Sequence, residues 1–122
     1  EIARLCGEDF TIYSGNDDQI VPILSLGGSG VISVLANVLP KETHDIVEKY
    51  LTGDVVESRK LQLGVNELVS SLFIEVNPIP VKAAMNLMGM EAGELRLPLT
   101  NISEQNLEIL RNNMMKYGIK VD

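Results

Sequence analysis

The sequence predicts an α/β fold in which two short parallel strands alternate with helices before the chain turns wholly helical. Three observations predict it. Residues 1–36 read helix, strand, helix, strand, the alternation of a parallel α/β protein. The run Val31-Ile32-Ser33-Val34-Leu35-Ala36 is apolar with almost no alternation, as in strands covered by helices on both faces. Beyond Pro40, apolar residues recur at helical spacing.

The elements follow in order. Residues 1–7 read as the tail of a helix whose start precedes Glu1, with Ile2 and Leu5 on one face and Gly7 as its cap. Phe10-Thr11-Ile12-Tyr13-Ser14-Gly15 is β-branched and aromatic and stops at glycine, which predicts a strand. Asn16, Asp17 and Asp18 are residues that cap a following helix. That helix carries Ile20, Val21, Ile23, Leu24 and Leu26, tolerates Pro22 only in its first turn, and ends at Gly27-Gly28-Ser29-Gly30. After the strand at 31–36, Pro40 suits a first helical position, with Ile46, Val47, Tyr50 and Leu51 inward and Gly53 at the end. Asp54 and Glu57 form a D-x-x-E start resembling a capping box, followed by a stripe at Leu61, Val65, Leu68 and Leu72. Asn77-Pro78-Ile79-Pro80 must be extended or turning. A short helix from Pro80 turns Val81, Ala84, Met85 and Met88 inward and closes at Gly89. Leu95–Thr100 is an extended connector. Ser103 caps a last helix with Leu107, Leu110, Met114 and Tyr117 inward, stopped by Gly118. Two buried-type strands make a poor sheet, because each leaves an edge unpaired. The elements therefore predict part of something larger.

Composition narrows the function. The chain has 122 residues, 45% hydrophobic and 22% charged, enough for one small core. A net charge of −7 with only ten scattered basic residues argues against nucleic acid, whose phosphates need Lys and Arg. No apolar run reaches the roughly 18 residues of a membrane span, and the N-terminus does not read as a signal peptide. The single cysteine, Cys6, can form neither an internal disulfide nor a Cys-rich zinc site; it predicts a reducing, cytoplasmic setting and a buried filler role.

Several motifs invite chemistry. The glycines at 27–30 follow a helix and precede a strand, the reverse of a phosphate loop, so capping and tight strand entry explain them. Asp17 and Asp18 stand past a strand's carboxyl end, where α/β proteins place their sites; a cation or acid–base role competes there with helix capping, and capping is the simpler account. His44, the only histidine, has no second His or Cys partner for a metal and is expected in solvent. Lys82 could form a Schiff base only if buried, and its place in a first helical turn predicts a surface role. Asn101-Ile102-Ser103 matches a glycosylation sequon, but Ser103 is already explained as a cap. The methionines at 85, 88, 90, 114 and 115 read as gap-filling core residues.

Four segments, taken in order, carry a family resemblance: Tyr13-Ser14-Gly15-Asn16-Asp17-Asp18, Gly30-Val31-Ile32-Ser33-Val34-Leu35-Ala36-Asn37, Glu75-Val76-Asn77-Pro78-Ile79-Pro80-Val81-Lys82 and Leu95-Arg96-Leu97-Pro98-Leu99-Thr100. Together they resemble the C-terminal part of the dihydrodipicolinate synthase family, pyruvate-dependent Schiff-base aldolases, over essentially the whole chain. Asn16 stands where an aspartate is common, and Leu35 where a small residue is. The resemblance implies a (β/α)8 TIM barrel, which takes roughly 250 residues. The chain is then a C-terminal fragment with the last two strands, Phe10–Ser14 and Val31–Leu35, in residues 1–53, and a C-terminal helical region in 54–122.

The implied reaction condenses pyruvate with aspartate 4-semialdehyde on the path to lysine and diaminopimelate. A lysine forms an imine with pyruvate; the enamine derived from it attacks the aldehyde. That lysine, the proton-relay residues and the feedback site map upstream of Glu1, so no catalytic residue falls in this chain. The resemblance places backbone groups of Gly15 and Ile32 near pyruvate, Ile32 through its carbonyl, with Asn77 bordering the same pocket. It implies no metal and no organic cofactor, and it implies a homotetramer once the missing N-terminal half of the barrel is present. An N-acetylneuraminate lyase or another pyruvate aldolase shares the barrel and the imine. A non-catalytic helical interaction module is the rival of another class, and predicts a stable monomer that needs no partner.

Overall fold

The computed structural model describes residues 1–7 and 9–121. The chain divides into two compact units, Glu1–Gly64 and Val65–Asp122. The first unit holds α1 (Ile2–Cys6), β1 (Tyr13–Ser14), α2 (Ile20–Ser25), β2 (Gly30–Val31), α3 (Pro40–Leu51) and the start of α4 (Val55–Leu72). The second holds the rest of α4, then α5 (Ile79–Leu87) and α6 (Glu104–Tyr117). Among the described residues, no helix is long and apolar enough to cross a membrane.

In the first unit β1 and β2 pair in parallel, Tyr13 opposite Gly30 and Ser14 opposite Val31. Backbone bonds extend the pairing on both sides: Ser29 N–H donates to the Ile12 carbonyl at 2.7 Å and Ile32 N–H to the Ser14 carbonyl at 2.9 Å. The crossover that parallel pairing requires is here made by α2. Gly28 makes the tight return possible. A Cβ there would stand 2.6 Å from Ile23 Cγ2 and 2.8 Å from the Ile23 carbonyl oxygen, which accepts the Gly28 N–H at 2.9 Å. The core of the unit is Ile20, Leu24, Leu35, Val38, Leu39 and Ile46.

Both strands are shorter than the sequence predicts. Beyond the bonds at Ile12 and Ile32 the pairing stops, and Leu35–Asn37 forms a 3-10 turn instead of strand. With one neighbour each, the strands have nothing to prolong their pairing, and side-chain bonds draw residues 34–36 into the turn. Ile32, expected in a strand covered on both faces, is 72% exposed. The helical tail at the N-terminus exposes Ile2, Leu5 and also Cys6, which is surface and not buried filler. Leu51 is exposed rather than inward, because α3 rotates its buried face onto Thr43 and Ile46.

Polar residues are built into this core. Thr43 Oγ1 donates to the Leu39 carbonyl at 2.8 Å and Ser58 Oγ to the Ile46 carbonyl at 2.6 Å. The Gln62 side chain accepts Val21 N–H at 3.2 Å and donates to the Asp17 carbonyl at 2.9 Å. It thereby satisfies a donor in the first turn of α2, which has no partner within its own helix.

In the second unit the α4 stripe buries Val65, Leu68, Val69 and Leu72, with Ile79, Val81, Ala84, Leu110 and Met114 completing the core. The turn at 77–78 contains a cis Asn77–Pro78 bond and leads into α5 one residue before Pro80. Ser103 caps α6 as expected, accepting Asn106 N–H at 3.4 Å, and Gly118 ends it in the left-handed region at φ 98°, which favours glycine. Met114 is core, whereas Met90 and Met115 are exposed.

Candidate functional site

The carboxyl ends of β1 and β2 lie side by side. Ser14 and Val31 are register partners, so Gly15 and Ile32 are the next residues along each strand. Gly15 is exposed, and a Cβ on it would meet nothing within 4 Å. No neighbouring atom among the described residues demands glycine there. Ile32 spends its N–H on Ser14 and turns its side chain outward. The loop that follows β1 is tightened by Ser14, 3% exposed, whose Oγ donates to the Asn16 carbonyl at 2.8 Å and accepts Asn16 N–H at 3.1 Å.

Asp17 does not cap the helix that follows it. It is 1% exposed and reaches across to the loop after β2, where Oδ2 accepts Val34 N–H at 2.9 Å and Leu35 N–H at 3.0 Å. The cap it supplies belongs to the 3-10 turn Leu35–Asn37, where Ser33 Oγ also accepts Ala36 N–H at 2.9 Å. Asp18 is exposed. The sequence places Asp17 beside a helix it could cap and holds no local sign of the longer reach. A signal for the buried hydrogen bonds of α4 does exist: Ser58 and Gln62 share the helical spacing of Val65, Val69 and Leu72, and a polar residue on an apolar stripe needs a buried partner.

The remaining candidates fall elsewhere. Asn77 lies in the second unit, exposed in the turn before α5. Lys82 is half-buried, and its ammonium donates to the Glu94 carbonyl at 2.6 Å, which ties α5 to the segment after it. It lines a cavity of about 400 Å³ with Ile79, Asn86, Leu95 and Leu107. A groove of about 530 Å³ runs along the first unit between Tyr13, Val31, Val47 and Leu51. Gly15, Ile32 and Asn77 line neither of these.

Electrostatics mark two surface clusters. His44, Asp45 and Glu48 bring their ligand atoms within 4.8 Å of one another on an exposed face of α3. The hydrogen bond from the Lys41 ammonium holds the Asp45 carboxyl below the usual aspartate range and raises Lys41 in turn. That cluster reads as an ion-paired helix face. In the second unit Glu75 Oε1 accepts Asn106 Nδ2 at 2.7 Å, Ser103 Oγ at 2.9 Å and Ser103 N–H at 3.0 Å. Those hydrogen bonds, Asn106 foremost, hold its carboxyl below the usual glutamate range.

A parallel strand–helix–strand unit with its loops gathered at the strand carboxyl ends defines an α/β protein of the kind that binds ligands at that edge. The profile described as the Dihydrodipicolinate synthetase family matches residues 1–116, and the chain belongs to that family. It is 60% identical over 119 residues to the 4-hydroxy-tetrahydrodipicolinate synthase of Acetivibrio thermocellus, covering 98% of this chain and 41% of that protein. The crystal structure of dihydrodipicolinate synthase from Aquifex aeolicus matches with a TM-score of 0.93 at 40% identity, over 99% of this chain and 41% of that one. The chloride-inhibited dihydrodipicolinate synthase from Acinetobacter baumannii, complexed with pyruvate, matches with a TM-score of 0.88 at 39% identity, over 97% and 40% of the two chains. The chain thus spans about two-fifths of the length of these relatives.

Proposed function

We propose that residues 1–122 are the C-terminal portion of a 4-hydroxy-tetrahydrodipicolinate synthase, a lyase that condenses pyruvate with aspartate 4-semialdehyde. In this reading β1 and β2 are the seventh and eighth strands of a (β/α)8 barrel, and the helices from Asp54 onward include the appended C-terminal ones. The observation that carries it is the register of β1 and β2, which sets Gly15 and Ile32 beside each other at the strand carboxyl ends, where barrels of this kind place their chemistry. The pyruvate complex of the Acinetobacter baumannii relative supports the substrate.

The division of labour is then as follows. A lysine outside residues 1–122 condenses with the pyruvate ketone to form the imine and release water; its protonated nitrogen withdraws electrons, so a proton-relay residue, also outside residues 1–122, takes a methyl proton, and the enamine carbon attacks the aldehyde, whose oxygen receives that proton. This chain supplies one wall. Backbone groups of Gly15 and Ile32 orient pyruvate, Ile32 by accepting a hydrogen bond at its carbonyl. A backbone acceptor demands no particular side chain. The complete enzyme works in the cytoplasm as a homo-oligomer, a tetramer by the family resemblance, with the N-terminal part of the barrel as this chain's first partner.

Trapping with borohydride in the presence of pyruvate, read by mass spectrometry, tests this. The complete enzyme is expected to gain one stoichiometric adduct and the isolated 122-residue chain none. An adduct on the isolated chain would assign the imine to one of its own lysines, with Lys82 the first to map. A complete enzyme that gains no adduct would end the Schiff-base reading.

A further inference from the structure

Among the described residues of the first unit Asp17 is the buried carboxylate, and the proposed chemistry gives it no task. Its Oδ2 accepts two backbone N–H groups, from Val34 at 2.9 Å and Leu35 at 3.0 Å. Its Oδ1 is buried with no hydrogen-bond partner among the described residues. Its own carbonyl is fixed by the Gln62 side chain at 2.9 Å. A turn that needed only a cap could take it from a hydroxyl, as Ala36 N–H does from Ser33. Burying a carboxyl group with one of its two oxygens unmet is a costly way to cap a 3-10 turn.

The placement of the two bonds supplies a reason. Ile32 is held from behind by its N–H bond to Ser14, and the chain ahead of it is held at Val34 and Leu35 by Asp17. Only the backbone torsions between those anchors remain to set the direction of the Ile32 carbonyl. Both anchors issue from the same stretch, Ser14 to Asp17, and that stretch contains Gly15. One loop thus controls both backbone groups at the strand ends.

We infer that Asp17 is the positioning residue for the Ile32 carbonyl: its carboxylate, reaching from the loop after β1 to the backbone after β2, aims that carbonyl at the carboxyl-end site. The inference rests on the proposed function, since the carbonyl must have pyruvate to meet.

The complete enzyme that contains this chain is the test material. Asp17→Asn keeps an acceptor oxygen in place and Asp17→Ala removes it. Asp17→Ala is expected to raise the KM for pyruvate about 10- to 100-fold, the scale of a misplaced contact. The KM for the aldehyde should stay near that of the wild type, and Asp17→Asn should recover most of the loss. A folded Asp17→Ala enzyme with an unchanged pyruvate KM overturns the inference, as does an Asp17→Asn enzyme equally defective. Should Asp17→Ala not fold, Asp17→Ser decides, because its hydroxyl is too short to reach both N–H groups. The same rise is expected there, and an unchanged KM counts against the inference. A wild-type enzyme that traps no pyruvate overturns the functional reading and this inference with it. A wild-type enzyme that traps pyruvate beside an indifferent Asp17→Ala variant overturns the inference alone.

Discussion

Gln62 illustrates how single residues hold the first unit together. Its amide accepts Val21 N–H and donates to the Asp17 carbonyl, so a leucine of similar size would remove both bonds and leave the part-buried Val21 N–H without its acceptor. Each unmet group costs about 1–3 kcal/mol, and Gln62→Leu is expected to destabilise the protein on that scale, read by chemical denaturation. Faster amide exchange at Val21 should accompany it; an unchanged exchange rate would show that the bond carries nothing. Gly28 is set by space rather than by torsion. A methyl group there collides with Ile23 at 2.6 Å, and its backbone carbonyl, at 2.8 Å, cannot step aside without losing the bond to Gly28 N–H. Gly28→Ala should cost about 1–3 kcal/mol, as overpacking does, seen as a lower denaturation midpoint at constant slope.

At the scale of elements, α6 depends on a residue outside it. Ser103 caps the helix, and Glu75 in turn binds Ser103 and Asn106 through one carboxylate oxygen. A carboxyl whose folded pKa is depressed binds fewer protons folded than unfolded, so its stabilisation is present above the unfolded value, about 4.3 for glutamate. It is lost as pH falls through the lower folded value. The N-terminal turn of α6 should therefore lose amide protection as the pH drops below that of an ordinary glutamate, and Glu75→Gln should flatten this dependence. An identical pH profile in the variant would show that the bonds to Ser103 and Asn106 do not discriminate charge. The apolar side of α6 is more conventional: Leu110 is fully buried, and Leu110→Ala should cost about 2–5 kcal/mol, measured by urea denaturation.

For the molecule as a whole, unfinished pairing matters most. Among the described residues β1 and β2 pair only with one another, and Phe10, Tyr13, Leu26 and Ile32 stand exposed around them. Strand edges and apolar surface of this kind seek partners. The isolated chain should therefore self-associate in sedimentation velocity and, if the proposed function holds, should shift to a defined complex when the N-terminal portion of that enzyme is supplied. A stable, cooperatively melting monomer would favour the self-sufficient helical module instead.

The helices were legible in the sequence because their signals are local. The stripe at Leu61, Val65, Leu68 and Leu72, the Ser103 cap and the Gly118 stop each lie within one or two turns of what they control. The family resemblance was equally local, resting on short segments that include Tyr13 to Asp18 and Asn77 to Lys82. What the tertiary structure decided depends on partners distant along the chain. Two strands shortened because each has a single neighbour. Ile32 looked like core and stands exposed, and Asp17 looked like a cap for its own helix and instead closes a turn 17 residues away. Composition and periodicity report which face of an element is apolar; they do not report which backbone group, brought near by folding, a buried carboxylate will reach.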